Sequence, residues 1–186
     1  MQPTSTETNW CVITGAPCAG KTTLIQALAR RGFPVAGEVA REYIDARLAA
    51  GSTLRQIRAD ALSFERHILL EKARLERRLP PRRLVFLDRA IPDSTAYFRL
   101  EGLDPAEPLT LSRMFRYREV YLLERLKFTP DGIRSEDDAT AARLEDLLIE
   151  TYSQLDYPII RVPILEESRR LAFVLDHLNA QGLQDP

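Results

Sequence analysis

Apolar positions along the chain follow two patterns that alternate. Short unbroken apolar runs have the length and the branched or aromatic content of strands buried on both faces. They are Trp10-Cys11-Val12-Ile13-Thr14, Arg83-Leu84-Val85-Phe86-Leu87-Asp88, Glu119-Val120-Tyr121-Leu122-Leu123 and Ile159-Ile160-Arg161-Val162, with Phe33-Pro34-Val35-Ala36 as a shorter fifth. Between them apolar residues recur at helical spacing. Leu24, Ile25 and Leu28 share one face of a helix expected over 21–31. A second helix is expected over 38–50, stopped at Gly51, and a long one over 53–79, capped by Ser52 or Thr53 and ended by Pro80-Pro81. Further helices are expected over 92–100, 109–117, 140–154 and 166–178. Strands separated by helices predict an α/β fold in three layers, a parallel sheet covered on both faces.

Composition narrows the class. A length of 186 residues suits one domain with a full core. It is expected over 10–180, with a flexible tail at 1–9 and another at 181–186. A net charge of −1 gives no broad electrostatic case for nucleic acid. No apolar run approaches the roughly 20 residues that span a bilayer, and the polar N-terminus lacks the apolar core of a signal peptide. A cytoplasmic protein without membrane insertion is expected, as a monomer or homodimer. Cys11 and Cys18 fit that compartment better than a disulfide framework. Only Lys21, Lys72 and Lys127 are lysines among 26 basic residues, which makes Lys21 a rare choice in its place.

That place is the phosphate-binding loop. Gly15-Ala16-Pro17-Cys18-Ala19-Gly20-Lys21-Thr22 reads G-x-x-x-x-G-K-[ST], set between a predicted strand and a predicted helix. Backbone N–H groups in such a loop cradle phosphate oxygens. Lys21 is expected to reach the β- and γ-phosphates, and the Thr22 hydroxyl to hold Mg²⁺. Asp88, ending an apolar strand, is the second candidate for the metal; a helix cap or turn is the alternative.

Three further groups belong to the same rim. Arg89 faces the ligand crevice at the C-terminal edge of the sheet, where it can pair with a phosphate or carboxylate; a surface ion pair with Asp93 or Glu101 is the alternative. Glu38 follows the second strand and can orient a substrate hydroxyl or accept its proton, or else is an acidic first helical turn. Residues 127–138 read as a lid with Arg134 neutralising charge on the transferred group, Arg125 and Lys127 behind it, and Asp131-Gly132 as a hinge; an ordinary surface loop is the alternative. Cys18 reads as a small side chain that fits the loop, and His67 and His177 show no metal spacing. The arginines at 55, 58, 66, 74, 77 and 78 read as a solvated helix face. Arg113, Arg116 and Arg118 form a denser cluster that could contact acceptor or adenine.

Ile13 to Leu24, Glu38-Val39-Ala40-Arg41-Glu42-Tyr43, Phe86-Leu87-Asp88-Arg89 and Asp131-Gly132-Ile133-Arg134-Ser135 together resemble the NadR-type AAA domain family. That group includes the ribosylnicotinamide kinase domain of NadR and many small bacterial ATPases. The resemblance runs from about 10 to 178. It implies a P-loop NTPase of the nucleoside/nucleotide-kinase kind, its five parallel strands in order 2-3-1-4-5, with ATP and Mg²⁺. It also implies phosphate binding by Gly15 to Thr23, Asp88 in the metal site, and Glu38, Arg41 and Arg89 facing the acceptor. The nucleotidyltransferase and DNA-binding modules of NadR are not matched, so a role in NAD synthesis is not carried over. The expected activity is transfer of the γ-phosphoryl group of ATP to a small nucleoside- or nucleotide-like acceptor, with Lys21, Asp88, Glu38 and Arg134 catalytic. The alternative is a regulatory ATPase or GTP-binding switch acting through a protein or lipid partner. No Asn-Lys-x-Asp element for guanine supports the GTP form.

Overall fold

Trp10–Thr14 is buried at every position, as a strand covered on both faces must be. A computed structural model describes residues 5–125, 135–180 and 182. Trp10–Thr14 (β2) is the middle strand of five, flanked by Val85–Asp88 (β4) and Glu119–Leu123 (β6). Val35–Ala36 (β3) lies outside β4, and Ile159–Val162 (β7) outside β6. All pairings are parallel, so the order is the expected 2-3-1-4-5. Ile13 pairs with Asp88 and Thr14 with Leu122, which brings the C-terminal ends of β2, β4 and β6 to one edge. Parallel α/β sheets bind ligands in the crevice outside that edge.

Period-two alternation splits the strands between two cores. Cys11, Ile13, Phe86, Tyr121 and Leu123 face helices Lys21–Arg30 (α1) and Glu167–Ala180 (α8). Trp10, Val12, Val85, Leu87, Val120 and Leu122 face the other way. There they meet Ala61–Arg78 (α4), Ile91–Leu100 (α5) and Ser135–Gln154 (α7). Val39–Ala49 (α2) packs through Val39, Ala40, Tyr43 and Ile44 on Ile57, Phe64 and Ile68. Among the described residues, no helix is long and apolar enough to cross a membrane.

Four stretches differ from the sequence expectation. The helix expected over 53–79 is broken into Leu54–Ile57 (α3) and α4. Thr53 and Gln56 close a capping box on α3, and Asp60 accepts from the Ser63 N–H at 3.1 Å to start α4, so a second local cap wins over continuity. The helix expected over 109–117 is instead Ala106–Leu111 (α6) followed by a strand, Phe115–Arg116 (β5). Its β-prone residues pair with Thr6–Glu7 (β1), and Phe115 packs on Trp10 with ring centroids 4.9 Å apart. The same pairing shortens the tail expected at 1–9. The Thr8 N–H and hydroxyl both donate to Arg116 O, and Asn9 N–H donates to Pro81 O at 2.7 Å. Helix α7 also begins ahead of the expected residue 140.

Candidate active site

The loop between β2 and α1 turns on two glycines. Gly15 has φ +142°, and a Cβ there would sit 2.8 Å from the Leu123 carbonyl oxygen on the neighbouring strand. Gly20 occupies the N-cap of α1 at φ +86°, where a Cβ would meet Arg170 Nη1 at 2.7 Å. That arginine reaches over from α8 and donates to the Ala19 carbonyl at 2.5 Å, bracing the loop from behind. Helix α1 has neither a side-chain cap nor an acid in its first turn. Its leading N–H groups and dipole are thus left for an anion. Ala16 and Ala19 are buried, whereas Pro17, Cys18, Thr22 and Thr23 are exposed at the mouth. Lys21 turns inward and donates to the Ala16 carbonyl at 2.7 Å. Burial, then the Arg89 charge, lowers its ammonium to about 8.

Across the edge, Asp88 ends β4 almost fully buried. Its Oδ1 has no hydrogen-bond partner among the described residues. Burial, then Glu38, pushes its carboxyl up to about 6. A buried acceptor without a donor costs on the order of 1–3 kcal/mol, a debt that a cation would cancel. Magnesium takes one or two protein oxygens and fills its shell with phosphates and water, so Asp88 and the exposed Thr22 hydroxyl fit it.

Arg89 adopts φ +66° and hooks its own N–H onto the Ile13 carbonyl at 3.0 Å. Its side chain is 4% exposed. Nε donates to Glu38 Oε1 at 3.1 Å and Nη1 to Asp93 Oδ1 at 3.3 Å, with the guanidinium 5.3 Å from the Tyr97 ring centroid. The pairing with Asp93 is therefore real but buried, and Glu101 takes no part in it. Glu38 sits at the N-cap of α2 without capping it; its carboxylate turns to Arg89 instead. Lys21, Glu38, Asp88, Arg89 and Asp93 all act on the charge state of Lys21 or Asp88, which marks them as one electrostatic cluster.

The AAA domain family matches residues 10–170. The chain belongs to that family. Solved structures place its fold more narrowly. A NadR protein in complex with NR superposes with a TM-score of 0.71 at 18% identity, covering 98% of this chain and 52% of that one. The chain thus spans about half the length of that NadR structure. Thymidylate kinase from Ehrlichia chaffeensis gives 0.65 at 15% identity, covering 95% of this chain and 100% of that one. Deoxyadenosine kinase from M. mycoides gives 0.62 at 13%, covering 92% and 98%. At these identities the likeness is one of fold, that of P-loop nucleoside and nucleotide kinases. No curated protein sequence matches the chain.

Not every expected group joins the cluster of this AAA domain. Arg41 is exposed and pairs with Asp45 one helical turn on, at 3.1 Å. Arg134, Lys127 and the Asp131-Gly132 hinge lie outside the described residues. Arg125 is drawn to α7 by Asp138 and Glu145. The Arg116 guanidinium donates to the Leu155 and Asp156 carbonyls at 2.7 and 2.6 Å and stacks on Tyr157, and Arg118 bonds Asn9. These two arginines bind groups at the N-terminal edge of the sheet, opposite the phosphate loop. His67 stacks on Tyr43 at 4.2 Å. Arg66 forms a two-pronged surface pair with Glu107, as a solvated helix face should.

The sequence reading missed the polar groups under the rim. Lys72 is buried and donates to Ser94 Oγ at 3.2 Å, burial lowering its ammonium. Glu76 accepts from the Ile91 N–H at 2.9 Å and the Tyr117 hydroxyl at 2.7 Å, and burial pushes its carboxyl up to about 7. One signal was present: Lys72 and Glu76, four apart, include a rare lysine. Arg170 left none, because its partner is a backbone carbonyl 151 residues away.

Proposed function

We propose that the protein is a magnesium-dependent kinase that transfers the γ-phosphoryl group of ATP to a hydroxyl or phosphate of a nucleoside- or nucleotide-like acceptor. The observation that carries this reading is the Glu38–Arg89–Asp93 chain set beside the phosphate loop, with Arg89 and Asp93 buried and Glu38 partly open to solvent. Nucleotide binding alone needs the loop, Lys21 and Asp88; a second substrate needs an orienting base and an anion-pairing cation. The names of the NadR, thymidylate kinase and deoxyadenosine kinase structures support the same class.

In this reading the N–H groups of Gly15 to Thr23 hold the triphosphate and Lys21 leaves Ala16 for its terminal oxygens. Asp88 and Thr22 would hold Mg²⁺, which when bound would neutralise negative charge on the triphosphate. Glu38 accepts the proton of the acceptor hydroxyl as that oxygen bonds to the γ-phosphorus and the bond from that phosphorus to the β–γ bridging oxygen breaks, ADP leaving with the electron pair. Arg89 Nη2, which has no hydrogen-bond partner among the described residues, pairs with an anionic or polar group on the acceptor. Arg134 is the proposed lid cation. The switch alternative rests on the same loop and Asp88, and it leaves the Glu38–Arg89 pair without a task.

Labelled ATP offered with nucleosides, nucleoside monophosphates and ribosylnicotinamide tests the reading. Labelled acceptor is the expected product. Tight ATP binding with every acceptor refused and only slow phosphate release would overturn it in favour of the switch.

A further inference from the structure

Asp93 is wholly buried, and all of its bonding capacity is taken by groups from separate parts of the fold. Its Oδ1 accepts from the Thr14 hydroxyl at 2.6 Å and from Arg89 Nη1 at 3.3 Å. Its Oδ2 accepts from the Ala90 N–H at 3.0 Å and from the Tyr152 hydroxyl at 2.6 Å. Thr14 is the last residue before the phosphate loop, Arg89 is the acceptor-side cation, Ala90 caps α5, and Tyr152 belongs to α7.

Capping α5 needs one carboxylate oxygen and one backbone N–H. The three side-chain donors are additional, and a paired charge at full burial is a poor way to gain stability over packed hydrocarbon. What the arrangement does provide is a fixed direction for Arg89. That residue already holds φ +66°, a conformation that side chains other than glycine adopt at a cost. A flexible arginine side chain in that position has several rotamers, and apart from Asp93 its hydrogen-bond partner is Glu38, which is only partly buried.

We propose that Asp93 is a positioning residue for phosphoryl transfer. Held by Tyr152 and Thr14, it fixes the Arg89 guanidinium relative to the mouth of the phosphate loop, so that α7 sets the geometry of the acceptor side. The role in transfer rests on the kinase reading; the orientation of Arg89 does not. Tyr152 touches neither substrate region directly, and Tyr152→Phe removes one donor to Asp93 while keeping the ring in the core.

Two readouts test this. The first needs no acceptor: the side-chain Nε–H resonance of Arg89 in ¹⁵N-arginine-labelled protein, assigned by its loss in Arg89→Lys. In Tyr152→Phe it is expected to shift and to exchange with water about tenfold faster, the scale set by loss of a hydrogen bond to a charged group. An unchanged resonance in a folded variant overturns the proposal. Should that variant not fold, Thr14→Val removes another donor and is read in the same way. The second readout uses the acceptor returned by the labelled-ATP screen. Tyr152→Phe is expected to raise the KM for acceptor about tenfold and the KM for ATP less than about twofold, and to add nothing in an Arg89→Lys background. Equal changes in both KM values, or additive effects, overturn it. If the screen returns no acceptor, the kinase reading fails and the resonance still decides the positioning.

Discussion

Under α1 and α8 the sheet meets its helices through Ile13, Phe86 and Leu123 against Leu24, Leu28, Val174 and Leu178. Within that apolar cluster the ionisable side chains are Cys11 and Tyr121, and burial raises both, Cys11 to about 12, so both stay neutral; the ionisable groups of Lys21, Arg170, Glu119 and His177 stand outside the cluster. Under α4, α5 and α7 the same sheet packs hydrocarbon beside Lys72, Glu76, Arg89 and Asp93. The first layer has a mechanical task. It presses α1 and its glycine loop against β6 and Arg170, and packed hydrocarbon does that well. In the proposed function the second holds charges in set directions where the acceptor arrives, and only partners that are themselves fixed can do so.

The division can be broken at four points, taken from the largest expected effect downward. Lys21→Ala removes the loop's buried cation, and phosphoryl transfer is expected to fall on the order of a thousandfold with the melting transition retained. If turnover survives, the loop is not the donor site. Leu28→Ala, in the apolar layer, is expected to cost about 2–5 kcal/mol in urea denaturation, with the ratio of acceptor to ATP KM unchanged. A shifted ratio would show that this layer also tunes chemistry.

Glu76 tests the charged layer through pH. Its carboxyl rises from 4.5 to about 7, chiefly by burial, so the folded state binds the proton more tightly than the unfolded chain does. The stability this contributes is complete below about pH 4.5 and is lost as pH rises through 7. Wild type should lose on the order of 2 kcal/mol relative to Glu76→Gln between pH 4.5 and 8. Parallel curves for the two proteins would mean that Glu76 is not held in this way. Arg66→Ala, at an exposed pair with Glu107, should leave the denaturation midpoint unchanged. A clear drop there would blur the contrast between buried and surface charge.

The mechanical half was readable from the chain and the chemical half only in part. Five apolar runs with helical stretches between them announced the sheet, and the resemblance supplied its order. The loop was legible because its glycines and lysine are consecutive. Glu38, Asp88 and Arg89 were legible because the end of a strand fixes which edge a residue occupies. Asp93 was seen only as a surface partner for Arg89, since nothing in one sequence tells that Tyr152, 59 residues on, arrives at its other oxygen. Residues 109–117 were misread for a related reason: the partner that makes Phe115–Arg116 a strand is Thr6–Glu7, far away in the chain.

In the proposed function a second substrate is oriented from Glu38 while the phosphate loop holds ATP. Turnover of labelled ATP with its acceptor, and ATP affinity, measured together for wild type and Glu38→Gln, tests it most directly. Transfer is expected to fall about a hundredfold or more, with ATP affinity within about twofold. Equal loss of transfer and ATP affinity, or transfer that Glu38→Gln leaves untouched, would contradict that role of Glu38.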